Sequence, residues 1–231
     1  MTEPVVHHPQ ASDLLRWSES LAGIARTGLG FTQSLYEQER FEEVLKIASD
    51  IRAAAIDEAI SEQIYEEWLS TVGTGVSGYK TPRCAVAAIV GDEQGRLLLT
   101  QRADSGWWLY PVGWADIGYS PSEVAVKEAL EETGMEVEPV ALIGVLDGMR
   151  LGFSMHPLYT MLFHCRIVGG TLQGHPLETS SVGFFGRDEL PQPIAGAHRW
   201  ADIAFAAISG ESRPCDFDAP RTPIWRDHHQ A

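Results

Sequence analysis

Basic side chains are scarce in this sequence. Its 231 residues carry 17 Lys and Arg against 32 Asp and Glu, a formal net charge of -15. Such a chain repels a nucleic-acid backbone or an anionic membrane unless it gathers local basic patches. Neither is expected as a partner. Cysteine is scarcer still, with Cys84, Cys165 and Cys215 far apart and odd in number. They form no CxxC pair and no zinc set, which predicts free thiols in a reducing cytoplasm. No apolar run approaches the roughly 20 residues of a membrane span. The opening MTEPVVHHPQ lacks the basic-then-apolar layout of a secretory leader. Internal repeats, low-complexity segments and acidic tails are missing too.

What is present suffices for a core: 44% of residues are hydrophobic and 9% aromatic. The length is comfortable for two domains. In DLLRWSESLAGIARTG, Leu14, Leu15, Trp17, Leu21, Ile24 and Ala25 follow a helical period, which Gly28 and Gly30 are expected to break. SLYEQERFEEVLKIASDIRAAAI and DEAISEQIYEEWLSTV predict two more helices, and GTGVSGYKTPR reads as a linker. Beyond Pro82 the character changes to strands around CAVAAIV, RLLLTQR, VEPVALIGVLDGM, LYTMLFHCRIVGG and TSSVGFF, with a last helix at AHRWADIAFAAIS. The expected organisation is a helical domain over 1–75, an α/β domain over 80–218 and a tail over 219–231. The first helices cannot bury every apolar stripe alone. They pack on the second domain or form a symmetric interface, and closed two-fold dimers are the commonest kind.

One stretch raises a question of its own. KEALEETGMEV, 127–137, crowds Glu128, Glu131 and Glu132 onto one helix. Like charges at such spacings weaken an isolated helix. The helix itself is clearly bounded. SPSE at 120–123 is a capping box with Pro121 at the first helical position, and Gly134 stands where a left-handed terminator is expected. Ala125, Ala129 and Leu130 are expected to face the core, and the three glutamates another face. An acidic helix face is usually a solvated one. The other reading is a site for a hard divalent cation, which takes oxygen ligands and joins carboxylates to a substrate's phosphates.

The context favours the cation. The Gly- and aromatic-rich GWWLYPVGWADIGYSPSE runs straight into the helix. Over 113–135, GWADIGYSPSEVAVKEALEETGM resembles the Nudix box, G-x5-E-x7-R-E-U-x-E-E-x-G-U with U apolar. Gly113, Glu128, Ala129, Glu131, Glu132, Gly134 and Met135 fall on its positions. Tyr119 replaces the first Glu, Lys127 the Arg, and Val112 a glycine that often precedes Gly113. Lys127 keeps the charge but not the bidentate fork. The helical start, LLLTQRADSGWWLYP, HPLYTMLFHC and FFGRDELPQP extend the likeness over nearly the whole chain. They are similar to a Nudix subgroup with a helical N-terminal domain associated with dimers.

The resemblance implies an α/β/α sandwich with mixed sheets and an enzyme acting on nucleoside diphosphates linked to another group, ADP-ribose and CDP-choline among them. It implies Mg²⁺, with Mn²⁺ as a substitute, held by Glu128, Glu131, Glu132 and the backbone near Gly113. The metal would neutralise and orient the diphosphate and lower the pKa of a water. Arg102 stands where a basic residue often meets phosphate, with an exposed strand residue as the equal alternative. The proton acceptor falls among Glu131, Glu132 and Glu178, the last otherwise a solvated loop acid. Asp116 reads as a loop cap, and Trp107 and Trp108 as base-stacking or packing residues. His156 and His164 are not expected as ligands. Tyr119 and Lys127 also fit a protein that keeps the fold and senses a nucleotide metabolite. The expected partners are a small nucleotide and a second copy of the chain.

Overall fold

The computed structural model describes residues 9–57, 60–75, 81–116, 118–150, 154 and 156–220. Positions 76–80 of the expected linker and most of the expected tail, from 221 on, lie outside the described residues. The chain divides into two compact units, Met1–Pro82 with Gly148–Pro157, and Arg83–Asp147 with Leu158–Ala231.

The first unit is helical: α1 (Ala11–Phe31), α2 (Leu35–Ile56) and α3 (Ser61–Ser70). Small residues let α1 and α2 approach. Ala22, Ala25 and Leu29 meet Leu45, Ala48 and Ala53, and Ile64 and Trp68 of α3 close the cluster. Gly28 and Gly30 do not break α1, contrary to the sequence expectation. A Cβ on Gly28 would lie 2.3 Å from the Phe41 ring, so the glycine is a packing residue whose poor helix propensity tertiary contact overrides. The Ser34 side chain caps α2, and Asp57 ends it at φ 55°. Arg52 Nη1 lies 2.6 Å from Glu19 Oε1, and its Nη2 3.0 Å from His156 Nδ1. Ile24, Phe31, Leu35, Tyr36 and Ile47 are exposed; the apolar positions 24 and 35 thus contribute nothing to this core.

The second unit contains β1 (Arg83–Val90), β2 (Leu97–Arg102), β3 (Trp108–Leu109), β4 (Val112–Trp114), α4 (Pro121–Thr133), β5 (Met135–Asp147), β6 (Leu158–Gly170), β7 (Thr179–Phe185), α5 (Ala197–Ile208) and β8 (Asp216–Phe217). One sheet runs β4-β1-β6-β5-β8 and a second β3-β2-β7. The first is mixed: β1 pairs parallel with β6, from Arg83↔Leu158 to Val90↔Cys165, and antiparallel with β4. Val86, Ala88 and Val90 of β1 pack with Val124, Ala125 and Ala129 of α4. The alternate residues Ala85, Ala87 and Ile89 are buried as well, so both faces of β1 are covered. Helix α5 lies against β1, β2, β5 and β6 and buries Trp200, Ala204 and Phe205. The result is the expected α/β/α arrangement on a mixed sheet. Strands β3, β4 and β8 span only two or three residues, too few for alternation to betray them.

Candidate active site

Strand β4 and helix α4 build the site. Val112, Gly113 and Trp114 pair with Ala87, Val86 and Ala85 at the sheet edge. The chain then enters α4 through the expected capping box, with Ser120 accepting from the Glu123 N–H and Glu123 from the Ser120 N–H. Gly134 terminates the helix at φ 70°.

The inward face of α4 is not purely apolar. Residues 125, 128, 129 and 132 follow the i, i+3, i+4, i+7 spacing of one face. Glu128 and Glu132 therefore lie beside Ala125 and Ala129, while Leu130 is 47% exposed, contrary to its expected place in the core. Glu131 points outward, with a side chain 52% exposed. The three glutamates do not share one face.

Glu128 is buried against Gly113. A Cβ at 113 would lie 2.1 Å from Glu128 Cδ, so only glycine leaves room for that carboxylate. Burial raises its pKa; a hydrogen bond from Lys127 opposes. Glu132 Oε2 accepts from the Val112 N–H at 3.2 Å and from Thr100 Oγ1 at 3.4 Å. Burial pushes Glu132 up to about 7, with the Val112 N–H and the Arg102 charge pulling down, and Glu128 and Glu178 adding to the rise.

Lys127 reaches three acids. Its Nζ lies 3.0 Å from Glu131 Oε2, 3.2 Å from Glu128 Oε1 and 3.7 Å from Asp116 Oδ2. The contacts with Glu131, first, and Glu128 raise the pKa of the ammonium, and burial opposes. Asp116 also caps its turn, its carbonyl accepting from the Tyr119 N–H.

Arg102 and Glu178 stand at the rim. Arg102 ends β2 and pairs with Asp104, Nη2 to Oδ2 at 2.6 Å, which holds Asp104 at about 2. Its charge still acts on Glu132 and Glu178. Glu178 is exposed in the turn before β7, where its carbonyl accepts from the Ala103 N–H at 2.8 Å. Thr179 Oγ1 donates to the Glu132 carbonyl at 3.4 Å. The start of β7, the end of β2 and the end of α4 thus converge.

Among the described residues, no three His, Cys, Asp or Glu side chains are already gathered to hold a metal ion. The donor set nevertheless fits a hard divalent cation. Carboxylate oxygens are its preferred ligands. Glu128 and Glu132 carry raised pKa values, as carboxylates buried without enough counter-charge do. The aromatic candidates separate: Trp108 packs edge-on against Phe185 at 5.0 Å, whereas Trp107 and Tyr119 are exposed. His164 lies within β6, its pKa lowered by burial, and buried Cys165 is pushed up to about 12. Sequence reasoning missed Thr100, the Val112 N–H and the bridging of Lys127. A threonine inside the apolar run LLLTQR was the one readable signal.

Comparison with known proteins adds to this geometry. The NUDIX domain family matches residues 81–205. Residues 12–65 match a family described as a UDP-X-like, N-terminal oligomerisation domain. A putative ADP-ribose pyrophosphatase of Bacillus subtilis is 34% identical over 180 residues, 77% of this chain and 82% of that protein. A MutT-like protein of Streptomyces ambofaciens is 32% identical over 48% of this chain and 68% of its own length. The crystal structure of a UDP-X diphosphatase shares the fold, with TM-score 0.54 and 24% identity over 91% of this chain and all (100%) of that one. An ADP-ribose pyrophosphatase from Streptococcus suis is 31% identical with TM-score 0.50, over 60% of this chain and 100% of its own. No helix among the described residues is long and apolar enough to cross a membrane.

Proposed function

Because this chain belongs to the Nudix hydrolases, enzymes acting on phosphorus-containing anhydrides, we propose that it cleaves the diphosphate of a nucleoside diphosphate derivative of the ADP-ribose or CDP-choline type. The products are a nucleoside monophosphate and the phosphorylated X group. The observation that carries this reading is the seating of Glu128 against Gly113, one residue from the N–H that holds Glu132.

Glu128, Glu131, Glu132 and the backbone at Gly113 are the proposed holders of Mg²⁺, with Mn²⁺ as a substitute. When bound, the cation supplies charge neutralisation for the diphosphate and polarisation of the attacking water. Arg102 orients a phosphate oxygen on leaving its pairing with Asp104. Glu132, held in place by the Val112 N–H and Thr100, is the first candidate for proton acceptor. Exposed Glu178, within electrostatic range of Glu132, is the acceptor wherever Glu132 is committed to metal, and Glu131 is the third candidate. The helices of the first unit are proposed to form a homodimer. Their match to an oligomerisation domain and their exposed Ile24, Phe31 and Leu35 support this.

A second reading, a catalytically silent nucleotide-metabolite sensor, draws on Lys127 among the carboxylates and on Tyr119 in the box. A hydrolysis panel separates the two. ADP-ribose, CDP-choline, UDP-linked compounds, NADH and dinucleoside polyphosphates are incubated with Mg²⁺, Mn²⁺ or chelator, and released monophosphate is measured. Cation-dependent turnover of one compound supports the enzyme and names X. Silence from folded protein that still binds a panel compound favours the sensor.

A further inference from the structure

The box pattern pairs an acid at the position of Tyr119 with a base at the position of Lys127; here the acid is gone and the base remains. The structure shows where the base has turned. Its ammonium lies 3.0 Å from Glu131, 3.2 Å from Glu128 and 3.7 Å from loop residue Asp116. Two of these are carboxylates of the candidate cation site; the third belongs to the loop that leads from β4 into α4. The Lys127 side chain is only 28% exposed, so most of it is packed in this position.

We propose that Lys127 is a tethered counter-cation, which occupies the carboxylates of Glu128 and Glu131 in the metal-free protein and is displaced when a divalent cation binds. The inference rests on the reading of those two glutamates as cation ligands. Glu128 and Glu131 are three residues apart on one helix and repel each other when both are ionised. An ammonium between them offsets that repulsion without any bound ion. A divalent cation uses the same oxygens at a shorter distance than an ammonium does. Two cations that close also repel each other strongly in a partly desolvated site. Ion binding at Glu128 Oε1 and Glu131 Oε2 therefore competes with the Lys127 contacts. Lys127 sets the cation concentration at which the site fills, and its departure releases its contact with Asp116.

The test uses full-length protein and Mn²⁺ alone, with binding followed by paramagnetic resonance of free Mn²⁺ and melting followed by circular dichroism. Lys127→Met keeps the aliphatic stem and removes the charge. It is expected to bind Mn²⁺ roughly tenfold more tightly than the unmodified chain. It is also expected to melt lower without metal, with the deficit closing at saturating Mn²⁺. Lys127→Arg keeps the charge and is expected to bind no more tightly than the unmodified chain. If the unmodified protein binds Mn²⁺ and Lys127→Met binds equally or more weakly, Lys127 is a structural residue and the proposal is overturned while the cation site stands. If neither protein binds Mn²⁺, the assignment of the glutamates fails and the proposal fails with it.

Discussion

An alanine at position 113 would put its Cβ 2.1 Å from Glu128 Cδ and 2.2 Å from Oε1. Something must move, and the end of the glutamate side chain moves more easily than the strand. Gly113→Ala is therefore expected to leave the melting temperature almost unchanged while turnover on the best panel substrate falls ~100-fold, the scale of an ångström-sized misplacement. Unchanged turnover would separate Glu128 from the chemistry. Glu132 makes a prediction about pH. Its pKa is raised from an ordinary 4.5 to about 7 by burial, so the folded state binds the proton more tightly than the unfolded one. The contribution to stability is fully present below the unfolded value and disappears as pH rises through the folded one. Metal-free protein should lose stability between those two values, by roughly 3 kcal/mol at most from this group. Glu128, shifted the same way, adds to the slope. Glu132→Gln should flatten the stability–pH curve in chelator and, with metal and substrate, lose orders of magnitude in turnover. An unaltered curve would show that Glu132 is not desolvated in solution.

Helices show what local rules hold and where tertiary contact overrides them. The start and end of α4 were legible because the cap of Ser120 and the turn at Gly134 are local chemistry. Which of its side chains point inward was not. The apolar pattern put Leu130 inside, but packing against β1 and β4 centres the buried face on Val124, Ala125, Glu128 and Ala129. Gly28 makes the same point in α1. Alanine is the better helix former, by ~1 kcal/mol. A Cβ there would nevertheless meet the Phe41 ring at 2.3 Å. Gly28→Ala is thus expected to destabilise the chain by about 1–3 kcal/mol, as overpacked cores do. Urea unfolding measures it, and a stabilising result would mean that α1 and α2 sit further apart than described.

For the whole molecule the open quantity is mass in solution. Phe31 and Leu35, 57% and 78% exposed, flank the turn between α1 and α2. Large apolar side chains so close together on a surface commonly mark an interface. Replacing both by Asp should halve the mass read by light scattering during gel filtration and leave the helical content unchanged. A mass that stays put would move the interface elsewhere or make the chain a monomer. The helical unit also takes in Gly148–Pro157, a segment inside the range that the sequence assigns to the second domain. That membership depends on contacts such as the one between Arg52 and His156, 104 residues apart, which no local pattern encodes.

The sequence by itself determined the three helices, the five longer strands and the bounds of α4, and singled out Glu128, Glu131, Glu132 and Gly113 as candidates, because period, caps and motif spacing are short-range properties of the chain. Only the tertiary structure decided that Glu128 and Glu132 turn inward while Glu131 stays out, and that Lys127 reaches Glu128, Glu131 and Asp116 together. Burial and charge balance arise from residues brought together across the sheet, from Thr100 to Glu178, and those distances are set by packing rather than by order along the chain.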